Sequence, residues 1–250
     1  MVTIGKDAND LAARAAERFI QAADEAIAQR GCFMVALAGG STPERLYTLL
    51  TRPENAARLD WRRIYLFFGD ERFVPPDDLR SNYAMVQRTL LASAPVPAER
   101  VFPVPVHLRS AEEAAAAYAT TLAAAFGVTG QRQPPRFDLI LLGLGDDGHT
   151  ASLFPHAASL GVKDRWVVAS PPGTLPPPVD RITLTYPVLN TARRVIFLVS
   201  GEKKALVLQE VLEGHRNPEE RPAAGVRPPD GTVEWLVDEA AAQRLKRRFS

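Results

Sequence analysis

Asp147 and His149, one glycine apart, are the residues in this 250-residue sequence best suited to move a proton. They close the run Gly143-Leu144-Gly145-Asp146-Asp147-Gly148-His149, which follows an apolar segment from Phe137 to Leu142. Gly148 lets the backbone turn, so that a carboxylate and an imidazole can share one pocket. A neighbouring carboxylate stabilises the imidazolium, which suits His149 to act as a base near neutral pH. A loop histidine without chemistry is the plain alternative, and these residues alone leave both readings open. The run also matches G-x-G-x-x-G, the pattern of a dinucleotide-binding turn. Asp146 and Asp147 would then stand where a pyrophosphate needs N–H donors. Asp164 has the spacing of a ribose-binding acid, but it precedes a strand candidate instead of ending one. Acid–base chemistry is therefore the better reading. The four histidines, His107, His149, His156 and His215, show no zinc-ligand spacing, so no metal site is expected.

Three further clusters can bind a ligand. Ala38-Gly39-Gly40-Ser41-Thr42-Pro43 joins an apolar run to a helical one. Two glycines allow close backbone approach, and a helix N-terminus offers free N–H groups, so Gly39, Gly40, Ser41 and Thr42 suit a phosphate. No Gly-Lys-Ser/Thr follows, so this is not a Walker loop. A tight turn that only caps a helix is the competing reading. Asp70-Glu71-Arg72 follows a second apolar run, and charges there are either solvated or line a polar site. Gly201-Glu202-Lys203-Lys204 follows a third, and Arg181 opens a fourth. If these segments meet, Arg72, Arg181 and Lys204 supply counter-charges for an anion.

The elements that must bring them together are short apolar strands alternating with helices. Strands are expected at 33–38, 64–68, 137–142, 166–169, 181–186 and 195–199, and helices at 9–30, 81–91, 110–126 and 202–212. A helix should begin at Pro43, capped by Ser41 or Thr42. Ser110 with Glu113 reads as a capping box. A final strand–helix pair is expected over 233–248. This alternation predicts a single α/β domain over 1–250, with a mostly parallel, Rossmann-like sheet covered by helices on both faces. In such sheets ligands bind outside the carboxyl ends of the strands. The Pro-rich stretches 171–178 and 218–230 read as surface loops.

Composition narrows the class. Thirty Lys and Arg balance 29 Asp and Glu, for a net charge of +1, which removes the electrostatic argument for nucleic-acid binding. No apolar stretch approaches the ~20 residues that span a bilayer, and no secretory leader is legible at the start. The one cysteine, Cys32, can form no internal disulfide and is expected as a buried thiol. A cytoplasmic, monomeric protein without nucleic-acid or membrane partners is the expectation.

Taken together, Ala36–Pro43, Gly69–Arg72 with Ser81-Asn82-Tyr83, Gly143–Pro155, Arg181–Thr185 and Gly201–Ala205 resemble the 6-phosphogluconolactonase family along nearly the whole chain. The segment 143–155 is the most specific part, and Gly-Gly-Ser-Thr alone would be weak. The resemblance implies a cytosolic enzyme of the oxidative pentose phosphate pathway, of the glucosamine-6-phosphate isomerase/lactonase fold. It would hydrolyse 6-phospho-D-glucono-1,5-lactone without a cofactor. It also implies His149 as general base with Asp147 beside it, Gly39, Gly40, Ser41 and Thr42 near the substrate phosphate, and Asp70, Arg72, Arg181 and Lys204 around the substrate. The related deaminases place a glutamate five residues after the histidine, where this chain has Phe154. An apolar ring cannot carry protons, so amine chemistry is disfavoured. A non-catalytic sugar-phosphate sensor is the alternative of another class.

Overall fold

The apolar runs are strands that lie side by side in one parallel sheet. The computed structural model describes residues 1–128, 133–171, 178–215 and 217–246. The chain opens with β1 (Val2–Gly5), α1 (Ala8–Arg30), β2 (Phe33–Leu37), α2 (Ser41–Leu50), the one-turn α3 (Pro53–Ala56) and β3 (Ile64–Phe68). Then come β4 (Asp70–Arg72), α4 (Asn82–Val86), α5 (Ala111–Phe126) and β5 (Leu139–Leu142). The rest is β6 (Val167–Ser170), β7 (Arg181–Leu184), α6 (Tyr186–Leu189), β8 (Arg194–Val199), α7 (Ala205–Glu213), β9 (Thr232–Asp238) and α8 (Glu239–Ala242).

Six strands form the main sheet in the order β1-β9-β8-β5-β2-β3, every pair parallel. Every residue of β2 and β5 is buried, the signature of a sheet covered on both faces. α1 packs along β1, β2 and β9. Its ends are set locally. The Asp7 carboxylate accepts from the N–H groups of Asn9 and Asp10, and Gly31 closes the helix in the left-handed conformation, donating to Ile27 O.

A second sheet was not expected. β4, β7 and β6 form a three-stranded antiparallel sheet, and α5 packs on β6 and β7. Gly69 joins the two sheets. Its N–H donates to Leu37 O in β2, and its carbonyl accepts from Leu184 N in β7, both at 2.9 Å. β4 looked like a loop because all three of its residues are charged; its ladder partner, not its composition, makes it a strand. β1 is too short to show a period of its own.

Other expectations shift. Helix α2 starts at Ser41, not Pro43, because Gly40 at φ 104° is the cap residue, and no side chain caps the end. The helix expected from 81 to 91 passes from α4 into a π-helical turn over Gln87–Leu91. The helix expected from 202 begins with a 3₁₀ turn, Glu202–Lys204. Ser110 does cap α5, accepting from Glu113 N, but the Glu113 carboxylate takes Arg109 N instead of closing the box. Cys32 is partly buried against the core, not fully so. The helix expected to reach Arg248 is the single turn α8, with 247–250 outside the described residues. So too is 172–177 of the proline-rich loop. Among the described residues, no helix is long and apolar enough to cross a membrane.

Candidate active site

β8, β5, β2 and β3 are consecutive neighbours in the main sheet. Their carboxyl ends lead into Gly201–Lys204, Gly143–His149, Gly39-Gly40 and Asp70–Arg72. Four loops far apart in sequence therefore open onto one place, a cavity of about 350 Å³. Gly39, Gly40, Asp70, Arg72, Asp147, His149, Arg181 and Lys204 all line it. Ser41 and Thr42 do not. They lie in the first turn of α2, and only the glycine backbone before them reaches the cavity.

The loop after β5 is folded on itself. Gly145 N donates to His149 O at 2.8 Å, and Gly148 N donates to Gly145 O at 3.0 Å. Thr150 Oγ1 donates to Gly143 O at 2.8 Å. This turn brings His149 Nδ1 to 2.6 Å from Asp147 Oδ1, which also accepts the His149 backbone N–H at 3.0 Å. Burial alone would push the Asp147 carboxyl up. The His149 hydrogen bonds and charge outweigh it, so Asp147 lies below the usual aspartate value. The imidazole leans over Gly145, where a Cβ would stand 2.0 Å from Nδ1. On another side it meets Phe154, with ring centroids 4.7 Å apart. Gly145 thus makes room for the ring, and Phe154 gives it an apolar wall.

The cations come from three elements. Arg72 and Arg181 are direct partners in the β4–β7 ladder. Both have a buried Nε without a hydrogen-bond partner among the described residues. Burial and the Arg72 charge push the Arg181 guanidinium below its ordinary value, against the opposing pull of Asp70 and Glu71. Arg72 Nη1 donates to Arg80 O at 2.6 Å, which aims the side chain. Lys204 is paired with Asp146.

Sequence reading missed the residues that hold these groups. Glu71 is no surface charge: it is buried and accepts from the N–H groups of Arg72, Asn82 and Tyr83 and from Ser81 Oγ. It thereby ties the start of α4 to β4. Burial pushes its carboxyl up against those donors. Asn82 lies beneath the Gly39 backbone, where a Cβ would fall 1.9 Å from Asn82 Oδ1. Asn82 Nδ2 donates to Asp70 O at 2.9 Å. Ser152 Oγ donates to Asp70 Oδ2 at 2.7 Å, and Ser152 N donates to Thr183 Oγ1. Asp238, at the end of β9, accepts from Ser200 Oγ and Gly201 N, and so fixes the turn that carries Lys204. The Ser81-Asn82-Tyr83 motif pointed to this layer. Nothing in the sequence marked Asp238. Among the described residues, no three His, Cys, Asp or Glu side chains are grouped to hold a metal ion.

Residues 6–235 match the family model described as glucosamine-6-phosphate isomerases/6-phosphogluconolactonase. The chain belongs to that family. It is 40% identical to the 6-phosphogluconolactonase of Synechocystis sp. over 222 residues, covering 89% of this chain and 88% of that protein. It is 38% identical to the 6-phosphogluconolactonase of Nostoc sp., covering 98% of each. The 6-phosphogluconolactonase from Trypanosoma cruzi superposes with a TM-score of 0.86 at 31% identity, over 98% of this chain and 97% of that one. Within the family, relatives of this kind place the chain with the 6-phosphogluconolactonase enzymes.

Proposed function

We propose that this enzyme hydrolyses 6-phospho-D-glucono-1,5-lactone to 6-phosphogluconate, with His149 as general base. The observation that carries the reading is the His149 Nδ1–Asp147 Oδ1 contact of 2.6 Å inside the cavity. With Nδ1–H donated to a carboxylate, Nε2 is left as the acceptor for a water proton. Water loses that proton to Nε2 and attacks the lactone carbonyl carbon. The bond from that carbon to the ring oxygen then breaks, and His149 returns the proton to the departing oxygen. Asp147 holds the ring in register and stabilises the charged imidazolium between these steps.

Arg72 and the N–H groups of the 143–148 loop are the donors available to the developing oxyanion. Arg181, Lys204 and the Gly39-Gly40 backbone suit the phosphate, whose remote binding energy orients the reacting carbonyl. Every group in this scheme belongs to one chain, so a monomer suffices. Phe154 beside His149 offers no proton, which favours ester hydrolysis over the ring-opening amine chemistry of the isomerase branch.

The test is lactonase turnover in the parent and in His149→Ala, corrected for spontaneous hydrolysis of the lactone. Loss of the base should lower kcat by about 10²–10⁴-fold. Parental turnover in His149→Ala would sink the mechanism. Binding of the sugar phosphate without any turnover in the parent would favour a sensor.

A further inference from the structure

We propose that Asp146 is an internal competitor for Lys204 and sets how tightly the site holds the anionic end of its ligand. This deepens the lactonase reading and rests on it for the role of Lys204. Lys204 Nζ lies 2.5 Å from Asp146 Oδ1, and both residues line the cavity. They reach each other because β5 and β8 are adjacent and each projects a loop from its carboxyl end.

The pair is unequal. The Lys204 side chain is 26% exposed and that of Asp146 is 69% exposed. The ammonium is held in the cavity wall, and the carboxylate that meets it is largely open to solvent. A carboxylate presents to an ammonium a charge of the same sign and the same kind of acceptor atom as a phosphate does. An incoming phosphate must therefore displace Asp146 from Lys204, or accept a like charge beside it.

Asp147 cannot play this part, because its Oδ1 already accepts from the His149 backbone and ring. Nor is the arrangement general to the cavity. Among the described residues, neither Arg72 nor Arg181 has a salt-bridge partner. Of the three cavity cations, Lys204 is the one held in a direct ion pair among the described residues. Asp146 compensates the ammonium whenever no anion is bound, and it can retake it as product leaves. The product carries a phosphate and a new carboxylate, so a device that weakens anion binding favours release.

The experiment compares Asp146→Asn with the parent by calorimetric titration of inorganic phosphate and of 6-phosphogluconate, alongside steady-state KM. An exposed ion pair of this kind is worth about two- to five-fold in an equilibrium. Kd for both ligands, and KM, are therefore expected to fall by about that factor. In a Lys204→Ala background the same substitution should give a smaller gain or none. A gain in affinity is a readout that damage to the fold does not produce. Unchanged or raised Kd in Asp146→Asn would overturn the proposal, and so would an equal gain in the Lys204→Ala background. The titrations need no turnover, so a parent that binds phosphate but hydrolyses no lactone would refute the lactonase reading while the titrations still decide the role of Asp146.

Discussion

Arg72 and Arg181 stand directly opposite each other in the antiparallel β4–β7 pair. Like charges at facing positions of a ladder repel, by about 0.2–1 kcal/mol. Here each guanidinium also has a buried Nε without a partner among the described residues. An anion bound between the two guanidiniums would relieve that repulsion.

That cost has a measurable sign. Arg181→Met keeps the side-chain length but removes the charge. Without ligand, the variant is expected to melt no lower than the parent. Its KM should rise by about ten-fold or more, as expected for loss of a hydrogen bond to a charged group. Added 6-phosphogluconate should raise the melting temperature of the parent by more than that of the variant. A lower ligand-free melting temperature in Arg181→Met would show that the pair is not strained.

The smallest change that reaches the catalytic ring is at Gly145. A methyl group there would stand 2.0 Å from His149 Nδ1, so the imidazole must move and its bond to Asp147 must break. Gly145→Ala is expected to lose about 100-fold or more in kcat, within the range for loss of a base. The loop has no positive φ to strain at this residue, so circular dichroism should stay close to the parent's and the melting temperature should fall by no more than the Asp147–His149 contact contributes. Parental kcat would mean that His149 works from a different position.

Asp147 predicts a pH dependence of stability. Its carboxyl lies below the unfolded value of 3.8, so the unfolded chain binds the proton more readily than the folded one. The contribution is therefore complete above about pH 4 and is lost as pH falls through the lowered folded value. Asp147→Asn cannot titrate. As pH falls below about 4, the difference in melting temperature between parent and variant is expected to change in the parent's disfavour. A difference constant down to pH 2.5, roughly, would refute the link.

Much of the fold was legible because it rests on local patterns. The runs at 33–37, 64–68, 139–142 and 194–199 are fully apolar or nearly so, and only strands buried on both faces need that. Helix α1, expected over 9–30, runs over Ala8–Arg30; its periodicity and Gly31 were legible, and its Asp7 cap shows only in the structure. β4 was illegible because Asp70, Glu71 and Arg72 carry no apolar signal, and only β7 alongside makes them a strand. For the same reason the sequence left Glu71 open between a solvated charge and part of a polar site. Its burial depends on four donors, three of them ten or more residues away along the chain. Ser41 and Thr42 show the opposite failure. The glycines before them marked a ligand loop, but the positive φ of Gly40 starts the helix early and leaves both side chains off the cavity.

The sequence by itself determined which chemical groups are available. It placed Asp147 and His149 one glycine apart, and it put a Gly-rich or charged loop after the apolar runs at 33–38, 64–68, 137–142 and 195–199. Those are local properties, set by residue type and spacing over a few positions. Only the tertiary structure decided which groups meet. The strand order brings β8, β5, β2 and β3 side by side, and the register of β4 against β7 sets Arg72 opposite Arg181. Asp146 and Lys204 are 58 residues apart and pair only because β5 and β8 are neighbours. Strand order and register minimise the free energy of the whole sheet, so no local segment of the sequence encodes them.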